Sequence, residues 1–308
     1  MYTVGIVTPR WAAIHPGICR SAVNTAPYPK LLRHLAHVLA EEAASVPTLR
    51  PILNRAHKRK FDRAAGNVRL FHGIYPDFES ASRDIPRGWL EGFNNEATVL
   101  HLAAERFRIC ASDYPIMFWL QKLLPGCNML FDYGGGAGIS YFGYQKYLEY
   151  PATLCWLISD VPAVAALGTR IAEEQGARHL RFTTSLDDLP QAHILLAAGS
   201  LHLMQRPFEM LRSAPTLPPH ILVNKVPLVD LPAAVTLHNM GSAMCPYHLF
   251  NRAEFLTEFQ ALNYETVAEW ETELFARIPI FREYSVNAYK GFYFRKRTGG
   301  SRPTLFPE

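Results

Sequence analysis

A doubly wound α/β fold, a mostly parallel sheet between two layers of helices, is what the second half of this sequence predicts. Three observations carry the prediction. From Asn128 onward short apolar runs alternate with helix-like segments; a glycine cluster, "GGGAG" at 134–138, directly follows the first run; and Asp160 closes the second.

The runs "NMLFDY", "TLCWLISD", "LRFTT", "HILLAA" and "HILVNKV" are short, apolar and bounded by turn residues, as buried strands are. Between the second and third lies "VPAVAALGTRIAEEQGA", where Pro162 suits a first helical turn and Gly176 a C-terminal stop. After the fifth run the rhythm changes. A helix over "NRAEFLTEFQAL" leads to "YETVAEWET" and "VNAYKGFYFRKR", which read as an antiparallel ending to the sheet.

The first half has a different grammar. Residues 1–126 hold the helix-like segments "YPKLLRHLAHVLAEEAA", "EATVLHLAAERFRIC" and "YPIMFWLQKLL", with few strand signals. They read as a helical cap or lid, or in part as an oligomerisation arm, so a homo-oligomer stays open. Residues 127–297 are then the sheet domain, and residues 298–308 a frayed C-terminal tail.

Composition excludes several classes. The chain has 308 residues, 49% of them hydrophobic, enough for a large core. No run of eighteen apolar residues appears, and the start "MYTVGIVTPRWAAIHPG" lacks a basic-then-apolar layout, so neither a membrane span nor secretion is expected. The five cysteines, Cys19, Cys110, Cys127, Cys155 and Cys245, are scattered without a CxxC pair. Reduced thiols in a cytoplasm fit that pattern best. A formal charge of +4 is too weak to imply a nucleic-acid partner. The one basic concentration, "NRAHKRKFDR", reads as a solvated helix face or else a phosphate-contacting patch.

The glycine cluster lies where a strand ends and a helix begins. Glycines there allow a tight turn and let a ligand approach the backbone, while the helix start offers free N–H groups. No Gly-Lys-Ser/Thr follows, which excludes a phosphate-binding P-loop, and Ile139 stands where a dinucleotide fingerprint needs its third glycine. The spacing present is Asp-x-Gly-x-Gly-x-Gly, over Asp132, Gly134, Gly136 and Gly138.

That spacing is similar to the first motif of class I S-adenosylmethionine (SAM)-dependent methyltransferases. The resemblance implies a Rossmann-like fold with a seven-stranded, mostly parallel sheet, and SAM as cofactor or substrate. It places the loop, with Tyr133, behind the amino-acid part of SAM, and Asp160 on the two ribose hydroxyls. A carboxylate suits a diol because it accepts two hydrogen bonds. More locally, "YPDFESA", "LFDYGGGAGISYF", "AGSLHLMQRPFEML", "PYHLFNRAEF" and "GFYFRKR" resemble a bacterial family of methyltransferases often found with polysaccharide and specialised-metabolite genes. The likeness runs from about Phe71 to Arg297. The same family looks like home to enzymes that cyclise SAM on itself to azetidine-2-carboxylate, releasing methylthioadenosine.

Further candidates follow from position. Tyr141 and Phe142 begin the helix after the loop and are candidates to shield the sulfonium by cation–π contact, backed by the aromatics of Phe71–Trp119. His202, after the fourth run, reads as a general base or a structural histidine, with Ser200 beside it at the ligand-binding edge. His238 and Asn239 form a second polar pair, expected in a loop after the fifth run. Ser185 and Asp187 follow the third run, where they would touch adenine or cap a helix. No H-x-E, HExxH or spaced triad occurs, and no metal is expected.

The activity expected on this reading is cyclisation of SAM to azetidine-2-carboxylate. The alternative is methyl transfer to a small-molecule acceptor, and a SAM-binding module without catalysis is third.

Overall fold

The structure is a computed structural model that describes residues 48–297 apart from 67, 96–97 and 100–108. The helix expected over residues 28–44, most of the one over 96–110, and the tail after Arg297 lie outside the described residues.

Seven strands form the main sheet, in the order β10-β11-β6-β5-β2-β3-β4. They are β2 (Met129–Tyr133), β3 (Cys155–Ser159), β4 (Leu180–Thr183), β5 (Ile194–Ala198), β6 (His220–Val226), β10 (Tyr264–Thr272) and β11 (Tyr289–Lys296). The five strands from β4 to β6 are parallel, and β11 runs antiparallel to both its neighbours. Each coincides with an expected run. The helices over Tyr114–Leu123, Pro162–Glu174 and Arg252–Ala261 also fall where the sequence places them.

Period-two alternation sends side chains to two cores. On one face Leu130, Trp156, Ile158, Ile194 and Leu222 pack with Leu120, Phe142 and Tyr144. On the other, Phe131, Leu157, Leu195, Ile221 and Phe294 meet Phe255 and Phe259, with the rings of Phe259 and Phe294 stacked 3.9 Å apart. Burying a large side chain contributes roughly 1.5–3 kcal/mol, so these two layers dominate the stability.

One part of the architecture departs from expectation. A second sheet of four strands, in the order β1-β8-β9-β7, stands beside the first. It joins β1 (Leu70–Tyr75), β7 (Leu228–Val229), β8 (Ala234–Asn239) and β9 (Met244–Asn251). The segment before β2, read as helical, thus supplies a strand, and the stretch after β6, read as a loop, supplies three. The cause is local chemistry. Gly73 (φ +72°) and a register shift at His72/Tyr75 interrupt β1, so its alternation is too short to register as a strand. Helix α1 (Arg50–Arg63) packs against this sheet through Phe61, which joins Val235, Leu237 and Met244. Its basic residues are otherwise solvated or paired, as Lys58 is with Asp62 at 2.7 Å.

Candidate functional site

The order β5-β2-β3 places a switch point between β2 and β5, since the chain leaves them in opposite directions, and ligands bind outside the carboxyl ends of such strands. A cavity of about 840 Å³ opens there. That lies in the upper part of the ~300–1,000 Å³ range of small-molecule sites.

The glycine loop forms its floor. Gly134 (φ +69°) follows β2 directly, and a Cβ there would stand 2.4 Å from the Cβ of Ser200. Only glycine fits that position. Gly136 (φ +61°) also lines the cavity, leaving the backbone open to an approaching ligand. Gly138 starts the helix Ile139–Tyr144 and lies against Phe142 and Leu180, away from the cavity.

Asp160 lines the same cavity and holds the loop. One carboxylate oxygen accepts from the Gly136 N–H at 2.9 Å and the other from the Val161 N–H at 2.8 Å. Burial raises its pKa, and these two amides oppose that rise. Each oxygen keeps a lone pair, so the carboxylate can still take a vicinal diol. Tyr133 and Ser200 line this region too, with the Ser200 hydroxyl donating to the Tyr133 carbonyl. Ser185 does not: its hydroxyl accepts from the Asp187 N–H at 3.0 Å, and its neighbours Thr184 and Leu186 face the cavity instead.

Asp132 sits beneath the loop rather than in the cavity, which corrects its expected contact with a ligand. It is fully buried, accepts from Trp156 Nε1 at 3.0 Å, and leaves its other oxygen without a partner. Burial, above all, pushes its pKa up to about 7, against 3.8 for an ordinary aspartate. The sign follows from proton binding. Between those values the folded state holds a proton that the unfolded state has lost, so this group's contribution is full below the lower value and is lost as pH rises through the upper one. Asp132→Asn should therefore gain stability relative to the parent as pH rises from about 4 to about 7, on the order of a kcal/mol or more. Parallel thermal melts across that range check it, and a constant gap would mean the carboxyl is ionised throughout.

Tyr141 and Phe142 are also corrected. The helix starting at Ile139 turns Ile139 to the cavity, and residues two and three further on lie about 200° and 300° around it. Both rings are buried in the core, Tyr141 against Tyr150 (5.1 Å) and Trp156 (5.8 Å), with Phe142 edge-on to Tyr141. Of the described aromatics in Phe71–Trp119, only Phe93 lines the cavity. Asn239 is a strand residue, not a loop one. Its amide nitrogen donates to the carbonyls of Phe61 (2.7 Å) and Ala64 (3.0 Å), and its oxygen accepts from the Gly241 N–H at 2.7 Å. That side chain ties helix α1 to the second sheet and is fully committed.

A second group of lining residues comes from the second sheet and the ends of the first. His202, in the short turn after β5, is buried with Nδ1 unpartnered, its ring 4.2 Å from that of Tyr247. Burial and the nearby His238 and Arg69 hold its pKa well below the usual 6.5. His238 stacks on Phe71 at 4.7 Å, neither ring nitrogen has a partner, and burial lowers its pKa to about 3. Both imidazoles are neutral at physiological pH. The Tyr289 hydroxyl accepts from Arg69 at 3.0 Å and from the Tyr247 hydroxyl at 2.9 Å. Lys225 lines the cavity from a bulge in β6, where Asn224 and Lys225 face Gly291 alone. Its φ of +59° is strained for a lysine, and a 2.9 Å ion pair to the buried Asp113 holds it.

Sequence reasoning therefore reached Tyr133, Gly134, Gly136, Asp160, Ser200 and His202 among the lining residues. It missed Arg69, Lys225, Tyr247 and Tyr289. Each is an isolated side chain on a strand or at its end, with no spacing motif to mark it.

No protein-family profile and no curated protein matches the chain. Among solved structures it is similar to the Burkholderia thailandensis 1,6-didemethyltoxoflavin-N1-methyltransferase, solved with 1,6-didemethyltoxoflavin and S-adenosylhomocysteine. The identity is 15%, over 66% of this chain and 88% of that one, with a TM-score of 0.42. It is also similar to the magnesium protoporphyrin IX methyltransferase ChlM of Synechocystis PCC 6803, solved with SAM, at 14% identity over 67% and 86% of the two chains and a TM-score of 0.41. The CcbJ methyltransferase of Streptomyces caelestis gives 14%, 61%, 90% and 0.40 in the same terms. The fold itself is a Rossmann-like, class I methyltransferase fold, and that rests on this chain's own strand order, with β11 inserted antiparallel between β6 and β10.

Proposed function

We propose that the chain transfers a methyl group from SAM to a small-molecule acceptor. The observation that carries this reading is the single cavity, which continues from the glycine loop and Asp160 to a separate polar group around Arg69, His202 and Tyr289. There is room and chemistry for two ligands.

The loop and Asp160 fit SAM on their own geometry. Gly134 and Gly136 leave the backbone bare where the ligand would lie, and Asp160 has two open lone-pair positions for the ribose hydroxyls. Bound there, SAM supplies a methyl group on a sulfonium, activated toward nucleophiles. The chain's residues do the rest. The cavity wall aligns the acceptor with the methyl group, which is where most of the acceleration in such reactions arises. As the acceptor forms its bond to the methyl carbon, the carbon–sulfur bond breaks and its electron pair stays on sulfur. The buried imidazole of His202, held neutral, can orient the acceptor's nucleophilic group by a hydrogen bond, and the proton that group sheds passes to solvent through the open cavity.

Cyclisation of SAM, the finer activity that the family resemblance implies, would use the loop end alone. It would leave the Arg69 wall without a task, and the rings expected to enclose the sulfonium, Tyr141 and Phe142, are spent in the core. Product analysis separates the two. SAM incubated with the protein alone should give no methylthioadenosine above the spontaneous background, and S-adenosylhomocysteine should appear when an acceptor is supplied. Azetidine-2-carboxylate in the first reaction would replace this reading with cyclisation.

A further inference from the structure

We infer that the wall built from Arg69, His202, His238, Tyr247 and Tyr289 is an oxyanion-binding subsite, so that the acceptor is a small molecule carrying a carboxylate or similar oxyanion on an apolar body. Calling the ligand an acceptor rests on the methyl-transfer reading; the subsite itself does not.

Charge is the first ground. Among the described residues Arg69 has no carboxylate partner. Its guanidinium donates to the Tyr289 hydroxyl at 3.0 Å and lies 5.7 Å and 5.4 Å over the rings of Phe71 and Tyr289. The cavity's other described cation, Lys225, is already neutralised by Asp113. A positive charge is thus left facing the cavity, with most of its N–H groups uncommitted.

The direction of the hydrogen bonds is the second. Tyr289 accepts from both Arg69 and Tyr247, which fills the lone pairs of its oxygen and leaves its own proton uncommitted beside the cavity. Burial keeps both tyrosines protonated. His238 has two buried ring nitrogens without partners, and His202 has one. Buried polar atoms are ordinarily satisfied, so unpartnered ones beside a cavity point to a ligand that supplies the missing partner. The wall therefore offers a guanidinium, a hydroxyl proton and imidazole N–H groups, with no anion of its own among the described lining residues near them. A planar oxyanion matches a guanidinium fork bidentately.

Phe93, Leu203, Met204, Met240 and Leu274 give the cavity an apolar lining as well. Methionines accept ligands of varied outline, which suits a flat or irregular hydrocarbon body.

Calorimetric titration of the full chain with benzoate, phenyl phosphate and uncharged benzamide tests this, with and without S-adenosylhomocysteine. Benzoate or phenyl phosphate should bind at least about tenfold more tightly than benzamide, and the stronger of the two names the oxyanion. Arg69→Gln, at an exposed side chain, should lower anion affinity by roughly tenfold or more and leave benzamide and S-adenosylhomocysteine affinities as they were. Tyr289→Phe should lower anion affinity by a smaller factor. Equal binding of charged and uncharged probes, no binding of either anion, or full anion affinity in Arg69→Gln would overturn the subsite. If the parent binds the anions but not S-adenosylhomocysteine, the methyl-transfer reading fails and the subsite stands.

Discussion

Asp160→Ala should weaken SAM binding by a hundredfold or more. Two charge-assisted hydrogen bonds to a ribose diol contribute about 1.5–3 kcal/mol each, and their joint loss exceeds two decades in affinity. The structure adds a second cost. The carboxylate also accepts from the Gly136 and Val161 amides, so its removal frees the loop that forms the cavity floor. Asp160→Asn separates the two contributions, because an amide oxygen can keep one of the backbone bonds while the charge is lost. Calorimetry with S-adenosylhomocysteine reads both variants. Unchanged affinity in Asp160→Ala would remove this residue from the site.

Gly134→Ala should abolish SAM binding and destabilise the fold together. At φ +69° an alanine is strained, and its Cβ would fall 2.4 Å from the Cβ of Ser200, whose hydroxyl is itself bonded to the Tyr133 carbonyl. Backbone strain and overpacking each cost about 1–3 kcal/mol, so a loss of several kcal/mol in urea unfolding is the expected result. Gly136→Val makes the contrast. Its added Cβ would meet only the tip of the Ile139 side chain, at 3.1 Å, which can swing aside. Its φ of +61° strains the backbone as at Gly134, so that variant loses stability by strain without the Ser200 clash, and it should fail to bind because the new branch occupies the ligand's approach. A Gly134→Ala protein of parental stability and affinity would show that the turn is not held as described.

The main sheet was legible because its central strands are buried apolar runs bounded by turn residues, while the edge strand β10 shows as an alternating, β-branched and aromatic stretch. Strand β10 falls on "YETVAEWET" itself. The loop and Asp160 were legible because their spacing along the chain is the site. The second sheet was not. Its strand β1 contains Gly73, and β8 carries His238 and Asn239, polar residues that read as loop until a cavity and a helix end are seen beside them. Tyr141 and Phe142 misled for the opposite reason. Adjacency to a ligand loop in sequence says nothing of which way a helix turns its faces, and less than one turn separates the cavity-lining Ile139 from the buried Tyr141 and Phe142. Arg69 and Tyr289 are joined by a hydrogen bond across 220 positions, a relation no local pattern can express.

That separation also sets an order of assembly. The loop, Asp160 and Ser200 follow β2, β3 and β5, and their contacts span 24 and 67 positions against 220 for Arg69 and Tyr289. The wall around Arg69 waits for Tyr289, on the last strand to be synthesised among those described. Closing so long a loop costs more entropy than any contact near Asp160, and it is deferred until β11 docks between β6 and β10. The glycine loop, Asp160 and Ser200 are thus set by chain that precedes β6, whereas the Arg69 wall needs residues from both ends of the described chain. Insertion of β11 completes the sheet and delivers Tyr289 in one step.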